Sequence, residues 1–205
     1  MPRLESSIKD HLSPVLRSDG FVGSGRNFRR VSGDFIHAVN VQGSRWGGSF
    51  AVNLGIQPRC IPDVAGNSPD AAKITEVLCE FRRRLSETTC DKWWEHEGSK
   101  ESMDAAVRAA ASVYTTAGRR LFSELSGPES PLLKVTPTQF EAGNYSFSGF
   151  RSTKGQMARS LALMRQSAGD LADASAFARI ALVNRGVWPA LRADLEALSS
   201  LKPQA

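Results

Sequence analysis

Asn27-Phe-Arg-Arg-Val-Ser-Gly-Asp-Phe35-Ile-His-Ala-Val-Asn-Val-Gln42-Gly-Ser-Arg-Trp-Gly-Gly-Ser-Phe50-Ala-Val-Asn-Leu-Gly-Ile-Gln57 is the stretch that decides the fold. Phe35, His37, Val39 and Val41 fall on one side of an extended chain, and Ile36, Ala38, Asn40 and Gln42 on the other. After the glycine-rich turn at 43–48, Phe50, Val52, Leu54 and Ile56 alternate with Ala51, Asn53, Gly55 and Gln57. A period of two is that of a strand, because successive side chains leave a pleated backbone on opposite faces. The short turns at Ser32-Gly33-Asp34 and 43–48 predict an antiparallel meander with a dry face and a wet face. Pro58 and Pro62 end it.

Working outward, Leu4, Ile8, Leu12 and Leu16 recur at helical spacing before the stop at Gly20. Pro14 predicts a kink or a late start, and Ser7 with Asp10 has the form of a capping box. Beyond a loop at 58–72, Cys79, Phe81, Arg83 and Leu85 alternate as a fourth strand over about 78–85. From Ser102 as N-cap, Met103, Val107, Ala110, Tyr114, Ala117, Leu121 and Leu125 form one helical stripe, ended by Gly127-Pro128. The connection at 128–156 is read as carrying a short β ribbon at 144–150. Three helices follow: one over 155–168, one capped by Asp170 and ended by Gly186, and one opening on Pro189. The expected fold class is α+β, with an N-terminal helix on a meander sheet of three to four strands and a C-terminal set of helices. The expected organisation is one compact domain over 1–205, with a core at 1–126 and a helical extension at 127–205.

Bulk properties narrow the classes. The chain has 205 residues, 41 % hydrophobic and 23 % charged, which excludes a wholly disordered, collagen-like or disulfide-dense protein. The net charge of +5 is too small to imply nucleic acid by itself. It is unevenly distributed, at +4 over 1–60, −4 over 61–104 and +5 over 105–205. No apolar run is long enough to span a bilayer, and Met1–Asp10 lacks the apolar core of a secretory signal. Cys60, Cys79 and Cys90 are odd in number and form no C-x-x-C, so reduced thiols in the cytoplasm are expected.

Two clusters carry candidate chemistry. In the first, Gln42, Ser44, Arg45, Trp46 and Asn53 gather amides, a hydroxyl and a guanidinium suited to a polar or anionic ligand. The plainer reading is that they brace the turn, with Trp46 packed on a neighbouring strand. In the second, Arg82-Arg83-Arg84 with Asp91, Trp93 and Trp94 suits a cation–π platform or an anion cradle, Arg83 being the arginine singled out. The plainer reading pairs Arg83 with Asp91 and places one tryptophan in the core.

These residues also carry a resemblance. Gly20-Phe21, Phe28-Arg29-Arg30, Val41-Gln42-Gly43-Ser44-Arg45-Trp46 and Phe50-Ala-Val-Asn53-Leu-Gly55 resemble the domain-of-unknown-function 4304 family, as do Arg83-Arg84-Leu85 and Asp91-Lys92-Trp93-Trp94. The resemblance covers about residues 4–125 and implies an α+β domain with an antiparallel sheet. It implies no activity, and the extension at 127–205 departs from it.

The reading that follows is a non-enzymatic binding or interaction module, with a protein or a small polar or anionic ligand as partner, no cofactor and no membrane. One alternative is nucleic-acid association through the basic C-terminal part, where Phe147, Phe150, Arg151 and Lys154 could stack and neutralise a single strand, or pin a loop to the core. Another is a hydrolase-like enzyme around His37 and Ser44, although G-x-S-x-G is absent. Cys90 and His96 match no common zinc spacing, so no metal is expected. Gly23-Ser-Gly25 lacks the context of a dinucleotide fingerprint.

Overall fold

The computed structural model of the protein describes residues 4–88, 90–150, 152–184 and 192–200. Its centre is the expected meander: β1 (Val22–Ser24), β2 (Asn27–Ser32), β3 (Phe35–Gly43) and β4 (Ser49–Pro58). β5 (Phe81–Arg84) continues the sheet in the order β1-β2-β3-β4-β5, and β6 (Trp94–Glu95) also pairs with β4. Every pairing is antiparallel. The sheet therefore has six strands, two more than the sequence pattern implies. The extra ones, β1 and β6, have three and two residues, too few to show alternation.

The dry face is as read: Phe35, Val39, Val41, Phe50, Val52, Leu54 and Ile56 are all buried. The other face is only half wet. Ile36 and Ala38 are buried beneath Ile74 and Cys79, which the segment after β4 folds back over them. Gly55 makes that return possible. A Cβ there would lie 2.8 Å from Cys79 Sγ and 3.2 Å from the Glu76 backbone. Gly55→Ala is expected to cost about 1–3 kcal/mol by overpacking, read as a lower urea midpoint at unchanged slope.

The first helix runs as α1 (Leu4–Ser7), a π turn (Ile8–Leu12) and α2 (Ser13–Ser18). The Ser13 N–H reaches back to the Ile8 carbonyl, five residues earlier. That wider turn relieves the clash an interior proline would make, so Pro14 sits in the first turn of α2 and the chain stays helical. Ser7 is buried within the helix and makes no capping bond. The next helix starts earlier than expected: Ser99, not Ser102, is the N-cap of α3 (Lys100–Val113), accepting from the Ser102 N–H at 3.1 Å. A second π turn (Tyr114–Gly118) joins α3 to α4 (Arg119–Ser126), which ends before Gly127 as expected.

No ribbon forms at 144–150. Instead α5 (Pro131–Lys134) and α6 (Pro137–Glu141) lead into a loop whose Phe147 and Phe150 are buried. Phe140 is the centre of that packing, with Tyr145 stacked at 4.7 Å and Phe177 edge-on at 5.8 Å. Helices α7 (Lys154–Ser167) and α8 (Leu171–Val183) form a hairpin, with Asp170 capping α8 through the Asp173 N–H at 3.1 Å. The last helix is α9 (Arg192–Ser199). The expected stop at Gly186 and start at Pro189 lie outside the described residues.

One buried apolar cluster runs from Leu4 to Leu198 and includes the dry sheet face. Polar ties cross from the sheet region to the C-terminal helices. Gln57 Oε1 accepts the Glu80 N–H at 3.0 Å, and Glu80 Oε2 accepts from Gln156 Nε2 at 3.2 Å. Within the extension, Arg165 of α7 donates to the Leu132 and Val135 carbonyls at 3.0 and 2.9 Å.

Candidate functional site

Register builds the site. Asn27 lies opposite Asn40, Asn40 opposite Asn53, and Asn53 opposite Arg84. Cross-strand partners share a face, so four neighbouring strands place three asparagines and an arginine in one row on the wet face. The amides bond along it. Asn53 Nδ2 donates to Asn40 Oδ1 at 3.3 Å, and Asn40 Nδ2 to Asn27 Oδ1 at 2.9 Å. Asn53 Nδ2 also donates to Gln42 Oε1 at 3.0 Å.

At the β5 end the row opens into a cavity of about 240 Å³, lined by Gln42, Asn53, Glu76, Arg82, Arg84, Asp91 and the edge of Arg83. Arg84 donates to Asp91 Oδ2 at 2.7 Å and lies 4.6 Å over the Trp93 ring. Arg82 Nε donates to Glu76 Oε1 at 2.6 Å. Glu76 is 3 % exposed, and its other oxygen has no hydrogen-bond partner.

The structure therefore unites Gln42 and Asn53 of the first sequence cluster with Asp91 and Trp93 of the second. It corrects the Arg83–Asp91 pair: Asp91 holds Arg84 instead. Arg83 shares its register position with Leu54, on the dry face. Its guanidinium donates to the carbonyls of Arg84, Thr88 and Ser148. The tryptophans split as the plainer reading has it, Trp94 buried against Phe50 at 5.7 Å and Trp93 at the rim.

The 42–48 turn divides too. Ser44 braces it, accepting the Trp46 N–H at 3.2 Å. Trp46 does not pack on a strand; it is 83 % exposed, with Arg45 stacked 4.6 Å over its ring. Asn27, Asn40 and Glu76 were missed by sequence reasoning. The alternation that put Asn40 beside Gln42 contained the signal for the row. Glu76 lies between the loop at 58–72 and the fourth strand, in a short 3-10 turn, Glu76–Leu78.

His37 and Ser44 do not meet. Six residues of strand separate His37 from Gly43, roughly 20 Å at about 3.3 Å per residue, and Ser44 lies in the turn beyond. His37 is buried, stacked on Phe122 at 4.3 Å, with Nε2 2.6 Å from Ser126 Oγ. Ser126 Oγ donates to the Phe122 carbonyl at 2.6 Å, so His37 Nε2–H is the donor to Ser126. On the other side His37 Nδ1 accepts from Arg30 Nε at 3.1 Å. Burial, then the Arg30 charge, lowers the imidazole pKa to about 3. A serine–histidine pair works as nucleophile and base when a carboxylate steadies the far nitrogen. Here an arginine stands there, so the pair ties β3 to α4 and is not poised for proton transfer.

Phe147 and Phe150 are buried and cannot stack on bases; Arg151 lies outside the described residues. Among the described residues, no three His, Cys, Asp or Glu side chains are grouped to hold a metal ion.

A family model described as "Domain of unknown function (DUF4304)" matches residues 12–117. That span contains every residue lining the 240 Å³ cavity. No curated protein and no solved structure matches the chain.

Proposed function

The chain belongs to the DUF4304 family, and on that premise we propose that its wet sheet face is a non-enzymatic binding site for a small polar ligand carrying an anionic group. The observation that carries this reading is the row of amides locked in register and ending on Arg84 beside an open cavity. Arg84 is the anchor. Its present partner, Asp91, is 69 % exposed on its side chain, and an exposed ion pair is worth at most about 1 kcal/mol. A ligand carboxylate or phosphate displaces it at little cost, and the guanidinium fork offers two parallel donors. Gln42 and Asn53 read the polar remainder of the ligand.

The whole chain, 1–205, acts as one unit in this reading, because the extension's Gln156 reaches the Glu80 carboxylate of the sheet region. Among the described residues no helix is long and apolar enough to cross a membrane, and Cys60, Cys79 and Cys90 are free thiols. A cytoplasmic, reducing setting suits them.

Titrating ¹⁵N-labelled protein with inorganic phosphate and with butanoate tests the site. The side-chain NH₂ signals of Asn53 and Gln42 are expected to shift, and Arg84→Ala to weaken binding about 10-fold or more, since charge-assisted bonds contribute roughly 1.5–3 kcal/mol. Unmoved amide signals with both anions, or an Arg84→Ala variant that binds as tightly, would refute the reading.

A further inference from the structure

We infer that the ligand is an ampholyte, with a cationic amine in addition to its anionic group, and that Glu76 is the residue that selects the amine. This rests on the anion site just proposed and adds its second half.

The argument begins with charge at the cavity. Arg83 lines its edge, but that guanidinium is engaged by three carbonyl oxygens. The charged heads that remain are Arg82 and Arg84 against Glu76 and Asp91. Beside the arginines the cavity thus also presents carboxylates, which a purely anionic ligand leaves without a partner. A molecule with one charge of each sign meets a partner at both ends.

The second observation is Glu76 itself. Its side chain is 97 % buried by the measure of its 3 % exposure, yet only Oε1 is engaged, by Arg82. Oε2 is shielded from solvent and has no partner. A buried acceptor left without a partner is costly, and more so when charged. A carboxylate oxygen accepts and never donates, so what completes it is an N–H or O–H group. A protonated amine supplies that together with the charge. Arg82, whose side chain is 45 % exposed and bonds Glu76 through Nε, is the group that shifts to admit it.

Dimensions agree. Arg84 and the Arg82 that bonds Glu76 are two residues apart on β5, their backbone positions roughly 6–7 Å apart along the strand. The cavity of about 240 Å³ equals roughly eight water volumes at about 30 Å³ each. A short amino acid with separated ends fits that volume; a nucleotide does not.

The experiment compares 4-aminobutanoate, butanoate and 4-acetamidobutanoate on the full chain by calorimetry and by the same amide signals. The amino acid is expected to bind at least tenfold tighter than butanoate, and acetylation of its amine to return affinity to the butanoate level. Glu76→Gln is expected to erase the tenfold preference without weakening butanoate binding, because it takes a negative charge out of the cavity, with a melting curve confirming that the variant is folded. The acetylated ligand needs no variant and keeps the test decisive if Glu76→Gln unfolds. Equal binding of 4-aminobutanoate and butanoate overturns the inference, showing that only water or Arg82 serves Oε2, and leaves the anion site standing. Failure of all three carboxylates and of phosphate removes the underlying site as well.

Discussion

Lowering the pH from 7 to 3 is expected to cost the fold about 4–5 kcal/mol through His37 alone. In the unfolded chain its imidazole takes a proton below about pH 6.5. In the fold, burial first and the Arg30 charge second hold its pKa at about 3. Above pH 6.5 both states are neutral at this residue and stability does not depend on it. Between 6.5 and 3 the unfolded state binds the proton and the folded state does not, so stability falls as pH falls. Below about 3 the loss is complete. Urea denaturation across that window separates His37 from the carboxylates if the wild type is compared with His37→Gln. Glutamine retains a donor and an acceptor for Ser126 and Arg30 but cannot titrate there. The wild type is expected to lose ground to the variant throughout the acid limb. Parallel curves for the two proteins would show that His37 is reached by solvent protons and is not held neutral.

Phe122→Ala is the second large effect, expected at about 3–5 kcal/mol. Phe122 is fully buried in α4. It stacks on His37, tilts against Phe21 at 5.9 Å, and lies 5.7 Å beneath the Arg30 guanidinium. Truncation removes the ring from three partners and opens a void beside a guanidinium and a neutral imidazole. The loss is expected to be non-additive with His37→Gln, because the two side chains share one contact. A cost below about 1 kcal/mol, read from the urea midpoint, would mean that α4 does not seal this face of the sheet.

Phe122 and His37 also mark where the sequence stopped being informative. The meander was legible because Phe35, Val39, Val52 and Leu54 obey one period without interruption, and a strand with a dry face cannot slip by one residue without exposing them all. The π turn before Pro14 was not legible: the proline signals a broken hydrogen bond but not how the backbone absorbs it. Ser99 lost to Ser102 as the expected N-cap because both are serines within one turn, and only geometry distinguishes them.

At the site, Gln42, Asn53 and Asp91 were identified from residue type and neighbourhood, whereas within Arg82-Arg83-Arg84 the arginine singled out was Arg83 and not Arg84. Parity explains the exchange. In β5 even positions join Asn53 on the wet face and odd ones join Leu54 on the dry face, and parity is fixed only by pairing with β4. Glu76 was out of reach for a related reason. Its burial depends on the chain folding back over Gly55, a long-range event without a local period.

The asparagine row has one more property. Its amides all donate in one direction, from β4 through β3 to β2. Backbone ladders in an antiparallel sheet alternate their dipoles and nearly cancel. This side-chain string does not cancel, so the sheet has a transverse polarity laid across its strands. Charge drawn to one terminus of such a string polarises each amide after it. A charge held beside β5 would polarise the string toward Asn27, roughly 14 Å away across three strand spacings of about 4.8 Å.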